Sequence, residues 1–140
     1  MAFWDASAIV PLCCSQPASA PGRQLRRELK RMVVWWGTPL EARSAFARLV
    51  RDADISPDDR VAAVKLLGQL RVTWDEILPT EQLRSLAEEL PDAHRLRAAD
   101  TAQLAAALVW CRGRPKQRPF VCFDERLSTA ASALGFSVRP

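Results

Sequence analysis

Apolar positions along the chain follow two rhythms. Ala2-Phe3-Trp4, Met32 to Trp36 and Phe120 to Phe123 are short runs with no polar alternation, the pattern of strands covered on both faces. Phe136-Ser137-Val138 reads as a last strand and Val72 to Ile77 as a weaker one. Between these runs the apolar residues recur at spacings of three and four, the period of a helix with one buried stripe. A short turn of helix is predicted from Ser7, and a longer helix over Ser19 to Arg31 with Leu25, Leu29 and Met32 on one side. Thr38-Pro39-Leu40-Glu41 has the form of a capping box with proline at the first helical position. The helix it starts puts Ala42, Phe46, Leu49, Val50 and Ala53 on one stripe. Ser56-Pro57-Asp58-Asp59 starts another, leading to Ala63, Leu66, Leu67 and Leu70. A helix from Thr80 carries Leu83, Leu86, Ala87 and Leu90 and is closed by Pro91. An alanine-rich helix spans Ala98 to Arg112, and Gly113 to Pro119 is a polar basic loop. The final helix shows Leu127, Ala130, Ala131 and Leu134 on one face, with Gly135 as its C-cap.

Strands thus alternate with helices, which predicts an α/β domain with a parallel sheet and helices on both of its faces. The 140 residues suit one domain, residues 1–140, and show no repeat or linker. Strand order is not readable from the pattern. No apolar run approaches the roughly 20 residues of a membrane span. Met1 to Leu12 has no basic flank and carries Asp5 in its middle, so it does not read as a signal peptide. A cytoplasmic location is expected. Cysteines 13, 14, 111 and 122 form no CxxC pair, and His94 is the only histidine. Zinc-site spacing and Ser-His-Asp or Cys-His catalysis lose support. Cys111 and Cys122 read as small core residues, and His94 as a structural or surface one.

The net charge of +4 is mild and compatible with a nucleic-acid partner. It is concentrated in Arg23, Arg26, Arg27, Lys30 and Arg31, and again in Arg112, Arg114, Lys116 and Arg118. Each cluster reads equally as a solvated face. The acids are more informative. Asp5 and Asp124 each follow directly on a fully apolar strand. Open parallel sheets bind ligands beyond the carboxyl ends of strands, at the switch point in strand order, so the two can share one cleft. Glu41 lies just after the second strand, and Asp100 near the start of the alanine-rich helix. Buried carboxylates need a partner. Arg97 is one available cation, and a divalent ion is the other way to hold several acids together. Oxygen donors select Mg²⁺ or Mn²⁺ over zinc. Each acid also has a plain structural explanation: Glu41 as the third residue of the capping box, Asp5 and Asp124 as helix caps. Ser7 either caps a helix or positions Asp5. Asp75 and Glu76 read as solvated acids at a strand edge.

At these same positions the sequence resembles the PIN domain family, most closely its VapC-type toxin ribonucleases. The likeness runs through nearly the whole chain. It is carried by Asp5-Ala6-Ser7-Ala8-Ile9-Val10, by Glu41-Ala42-Arg43-Ser44-Ala45-Phe46, by His94 to Ala107 around Asp100, and by Phe120-Val121-Cys122-Phe123-Asp124. The resemblance implies a Rossmann-like parallel sheet of four to five strands. It implies a Mg²⁺- or Mn²⁺-dependent endoribonuclease cutting single-stranded RNA, the toxin of a type II toxin–antitoxin module. Such toxins are homodimers silenced by a cognate antitoxin. Asp5, Glu41, Asp100 and Asp124 match the four metal-binding acids, with Ser7 and Arg97 in support. Position 122 is Cys where many relatives carry Ser or Thr, and position 103 is Gln where many carry His.

The expected reaction is metal-dependent phosphodiester hydrolysis, with a carboxylate taking a proton and Arg112, Arg114, Lys116 and Arg118 holding the RNA backbone. Its rivals are a PIN-fold binding module without catalysis, a PIN nuclease that is not a toxin, and an α/β domain whose acids serve only as caps. Trp4, Trp35 and Trp36 are read as core, an exposed one being suited to a partner interface or to stacking a base.

Overall fold

All three residues of β1 (Ala2–Trp4) are inaccessible to solvent, as an apolar strand with both faces covered requires. A computed structural model describes residues 1–140. After β1 come α1 (Ala6–Cys13), α2 (Ser19–Leu29), β2 (Met32–Trp35), α3 (Thr38–Arg51), α4 (Pro57–Arg71) and β3 (Asp75–Ile77). They are followed by α5 (Glu81–Ala93), α6 (Ala98–Trp110), β4 (Pro119–Val121), α7 (Glu125–Leu134) and β5 (Ser137–Arg139). The five strands form one sheet in the order β3-β2-β1-β4-β5, every pair parallel. In register, Phe3 lies between Val33 and Phe120.

Alternation within each strand divides the core in two. Ala2, Trp4, Met32 and Val34 pack with buried residues of α1 to α4, including Ile9, Ala42, Phe46 and Leu67. Phe3, Val33 and Phe120 pack on the opposite face with α5 to α7. There Leu104 and three consecutive buried alanines, Ala105 to Ala107, bring α6 close to the sheet. The division follows from handedness. Crossovers between parallel strands are right-handed, so the helices change face when the chain changes direction across the sheet. Progress from β1 to β3 puts helices on one face. The return to β4 and β5 puts them on the other. No helix is long and apolar enough to cross a membrane.

Several boundaries differ from the pattern reading, each for a local reason. The turn expected from Ser7 is a full helix, α1, capped by Asp5, and it tolerates Pro11 at the loss of one donor. Pro91 does not close α5; it sits in the last turn, and the helix ends where the His94 N–H returns to the Leu90 carbonyl. Thr38 is not the cap of α3. Gly37 holds that position, with no side-chain capping bond, and Thr38 is the first helical residue. Ala53 falls past the end of α3 with φ 58°, outside the buried stripe. Leu66 is 41% exposed rather than buried. Trp36 lies beyond β2, its N–H bonded to the Ile77 carbonyl. Gly135 ends α7 at φ 102°, the left-handed cap expected of it.

Phe46, fully buried on α3 against β1 and β2, anchors the helix that carries Glu41. Phe46→Ala is expected to lower unfolding free energy by about 3–5 kcal/mol in urea titrations. A loss below about 1 kcal/mol would mean that α3 is not held through this contact.

Candidate active site

The chain reverses its progress across the sheet between β1 and β4, and the carboxyl ends of these two neighbours carry Asp5 and Asp124. The Asp5 N–H donates to the Val121 carbonyl at 3.1 Å, which continues the β1–β4 pairing as far as the acid. Ser7 closes the junction. Its hydroxyl donates to Asp5 Oδ1 at 2.7 Å and accepts the N–H groups of Phe123 at 2.8 Å and Asp124 at 3.1 Å. The Ser7 N–H donates to Asp5 Oδ2 at 3.0 Å. One hydroxyl therefore fixes the Asp5 carboxylate relative to the backbone that presents Asp124. The thiol of Cys122 stands 3.7 Å from Ser7 Oγ and reaches the Asp124 carbonyl oxygen at 3.3 Å, not its carboxylate. Burial, with Asp5 nearby, pushes this thiol up to about 12, so it stays neutral.

Glu41 arrives from the other helical layer. Because Thr38 is inside α3, no capping box occupies the Glu41 side chain. Instead Glu41 Oε1 accepts a hydrogen bond from Gln103 Nε2 at 3.1 Å, and the same nitrogen donates to Thr38 Oγ1 at 3.2 Å. Gln103 is 1% exposed, and its own Oε1 has no partner. This amide bridges α6 to α3 across the edge of the sheet. Asp100, one turn earlier on α6, accepts the Arg97 N–H at its Oδ2, 3.0 Å away. Asp124 accepts the Leu127 N–H at its Oδ1, 2.8 Å away, as the cap of α7.

Asp5, Glu41, Asp100 and Asp124 all line one cavity of about 610 Å³, beside Ser7, Ser44 and Arg48. None of the four acids belongs to an ion pair; the pairs lie elsewhere, at Arg31–Asp75, Arg84–Glu81 and Arg139–Glu28. Their charge is consequently felt by each other. Burial, with Asp124 adding to it, pushes Asp5 up to about 6 against the bonds from Ser7. Burial, with Asp5 and Asp100 adding to it, pushes Glu41 up to about 7 against the bond from Gln103. A donor set of four carboxylates suits a hard divalent cation, which would remove that repulsion. The side chains are not drawn together to ligand distance: no three His, Cys, Asp or Glu groups stand close enough to hold a metal as they are placed. Asp100 and Asp124 each spend one oxygen on a helix end and keep the other.

The remaining candidates fall elsewhere. Arg97 is exposed and makes no ion pair; only its backbone N–H meets Asp100. Arg112, Arg114, Lys116 and Arg118 precede β4, at the amino ends of the strands, and none lines the cavity. The thirteen-residue α6 separates them from Asp100, a span of about 20 Å. Arg118 stacks over Trp110 at 5.8 Å. The cluster on α2 also stays outside the cavity, and Arg31 pairs with Asp75. All four cysteines are free thiols. Arg48, Ser44 and Gln103 were missed by the sequence reading as members of the site. For the first two the signal was present, since residues 44 and 48 repeat the face of Glu41 at spacings of three and seven.

The architecture is that of the PIN-like α/β class. The chain is similar to the crystal structure of FitAcB from Neisseria gonorrhoeae, with a TM-score of 0.65 and 15% identity, over 100% of this chain and 97% of that one. No family model matches the sequence, and no curated protein does.

The raised acids set a pH dependence. Asp5 rises from 3.8 to about 6 and Glu41 from 4.5 to about 7, so the native state holds protons that the unfolded chain has released. Without metal, unfolding free energy should therefore fall as pH rises from about 4 to about 7, by on the order of 3 kcal/mol for Asp5 alone. Urea titrations in EDTA at the two ends of that window check it, and Asp5→Asn should flatten the slope. A wild-type curve that rises with pH would contradict the charge crowding. Ser7→Ala, which orphans two backbone donors, is expected to cost about 1–3 kcal/mol in the same titrations. No loss would show that water replaces the hydroxyl.

Proposed function

We propose that the chain is a Mg²⁺- or Mn²⁺-dependent endoribonuclease of PIN type, the toxin of a type II toxin–antitoxin module. One observation carries the reading. Four carboxylates, carried at or just beyond β1, α3, α6 and β4, line one cavity at the switch point of a parallel sheet, and none has a cationic partner. A bound Mg²⁺ or Mn²⁺, held by Asp5, Glu41, Asp100 and Asp124, supplies an activated water and charge neutralisation at phosphorus. The chain's own groups do the rest. Ser7 holds Asp5 against the strand ends, and Gln103 holds Glu41 toward the cavity. A carboxylate oxygen not engaged by the cation can take a proton from the attacking water. Arg48, at the cavity wall, is placed to meet a backbone phosphate. A cytoplasmic homodimer, kept inactive by an antitoxin that covers the acids, belongs to this proposal.

A second reading is supported by the hydrogen bonds of Asp5, Asp100 and Asp124 to nearby backbone N–H groups: the acids serve the fold as caps. One substitution separates the two. Asparagine keeps a capping oxygen but removes the charge. Wild type and Asp100→Asn are incubated with mixed RNAs in Mg²⁺, Mn²⁺ or EDTA, with circular dichroism as the fold control. Asp100→Asn should stay folded and lose cleavage by about a hundredfold or more, with weakened Mn²⁺ binding by calorimetry. Equal cleavage by both proteins, or no Mn²⁺ binding by the wild type, would overturn the nuclease reading.

A further inference from the structure

The acid cavity leaves an aromatic pair at the end of β2 unexplained. Trp36 is 53% exposed, and its ring meets that of Trp35 edge-on at 6.3 Å between centroids. Trp35 is half-buried and forms a wall of a second cavity, of about 520 Å³, on the α5–α6 face of the sheet. Its seat depends on Gly37, where a Cβ would stand 2.5 Å from the indole Nε1. Beside the indole, Pro79, Leu83 and Ala102 line the cavity with apolar surface, while Thr80 and the Glu81–Arg84 ion pair add polar groups. The Thr80 oxygen accepts the Leu83 N–H, which leaves its proton free to donate.

The two cavities share α6. Ala99 lines the acid cavity and Ala102 the second one, a step of about 4.5 Å along the helix axis. An aromatic wall with donors and acceptors at its edge, beside the proposed cleavage site, suits a flat heteroaromatic ring better than an aliphatic anchor. A volume in the range of about 300–1,000 Å³ is that of a small-ligand pocket. We propose that this cavity is a nucleobase subsite. An unstacked base of single-stranded RNA, next to the phosphate at the acids, stacks on Trp35, and Thr80, Glu81 and Arg84 contact its edge. The subsite rests on the ribonuclease reading for its substrate class. It restricts that substrate to single strands, because a paired base cannot leave its stack to enter.

The test separates base from backbone. A short fluorescein-labelled single-stranded RNA and the same oligonucleotide made abasic throughout are titrated by anisotropy in EDTA, where metal-dependent cleavage is absent. Wild type should bind the base-bearing strand about tenfold tighter than the abasic one. Trp35→Leu should abolish that preference while keeping the abasic affinity, and Trp35→Phe should retain most of it. If Trp35→Leu does not fold, Arg84→Ala at the exposed rim should still reduce the preference by about threefold. A wild type without base preference, or a preference that survives Trp35→Leu, overturns the subsite. So does a change of oligomeric state on Trp36→Ala by sedimentation, which would give this face to a second protein chain. The readout needs neither metal nor turnover, so its failure leaves the cleavage assay to decide the nuclease reading, and the reverse holds too.

Discussion

A parallel sheet can open a crevice at its carboxyl edge only where neighbouring crossovers leave in opposite directions. Here that place is the seam between β1 and β4, and the rest of the site is organised around it. Helices α1 to α4 turn away from the seam on one face and α5 to α7 on the other, so no helix covers it. Ser7 then fixes the width of the seam. Its hydroxyl satisfies two backbone N–H groups on the β4 side and one carboxylate oxygen on the β1 side. Gln103 performs the matching task between layers, joining α6 to α3 through Glu41 and Thr38. Uncharged hydrogen-bonding groups thus hold two of the acids, and that choice matters electrostatically. An arginine in either place would neutralise the carboxylate and lower its proton affinity. A hydroxyl and an amide orient the charge and leave it uncompensated.

That uncompensated charge costs stability, and the cost is local. Asp5 is pushed upward by burial and by Asp124, and Glu41 by burial and by Asp5 and Asp100, whereas the acids in surface ion pairs sit outside the cavity. Ordinary selection for stability removes crowded, unpaired carboxylates, because substitution by neutral residues is easy. Their coexistence in one half-enclosed space is the kind of local conflict that functional sites show. The cavity's only cation, Arg48, is exposed at its wall rather than inserted among the acids, which suits an anionic ligand that approaches from solvent.

Much of this was legible in the sequence because strand and helix periods differ and the acids punctuate them. Unbroken apolar runs located β1, β2 and β4, and the acids that end the first and last of those runs, Asp5 and Asp124, were readable as crevice acids, although β4 itself stops at Val121. Strand order was not legible, since parallel pairing is settled by crossovers and not by any local pattern. Thr38-Pro39-Leu40-Glu41 misled for a related reason. The motif satisfied capping chemistry locally, but a partner sixty-five residues away, Gln103, draws the threonine into the site instead. Pro91 misled because a proline near the end of a helix loses only one bond. The basic loop at 112–118 was assigned to RNA by composition alone, and composition does not say at which end of the sheet a loop emerges.

Capping and metal binding are often set against each other as explanations for an acid at a helix start, and here they are compatible. A carboxylate has two oxygens and several lone pairs. Asp100 and Asp124 each commit one oxygen to a backbone N–H, which fixes the rotamer and leaves the second oxygen free. A side chain held in this way loses less conformational entropy when it takes up a ligand than one that is free to rotate. Helix N-termini also carry partial positive charge, so α1, α6 and α7 each lower the energy of holding an anion at their starts. Three helix starts thus face one cavity, each with a carboxylate at its cap or in its first turn. Glu41, in the first turn of α3 but without a cap contact, lacks that restraint, and Gln103 supplies it. The capping bonds are therefore the means by which the fold keeps these carboxylates oriented at the seam.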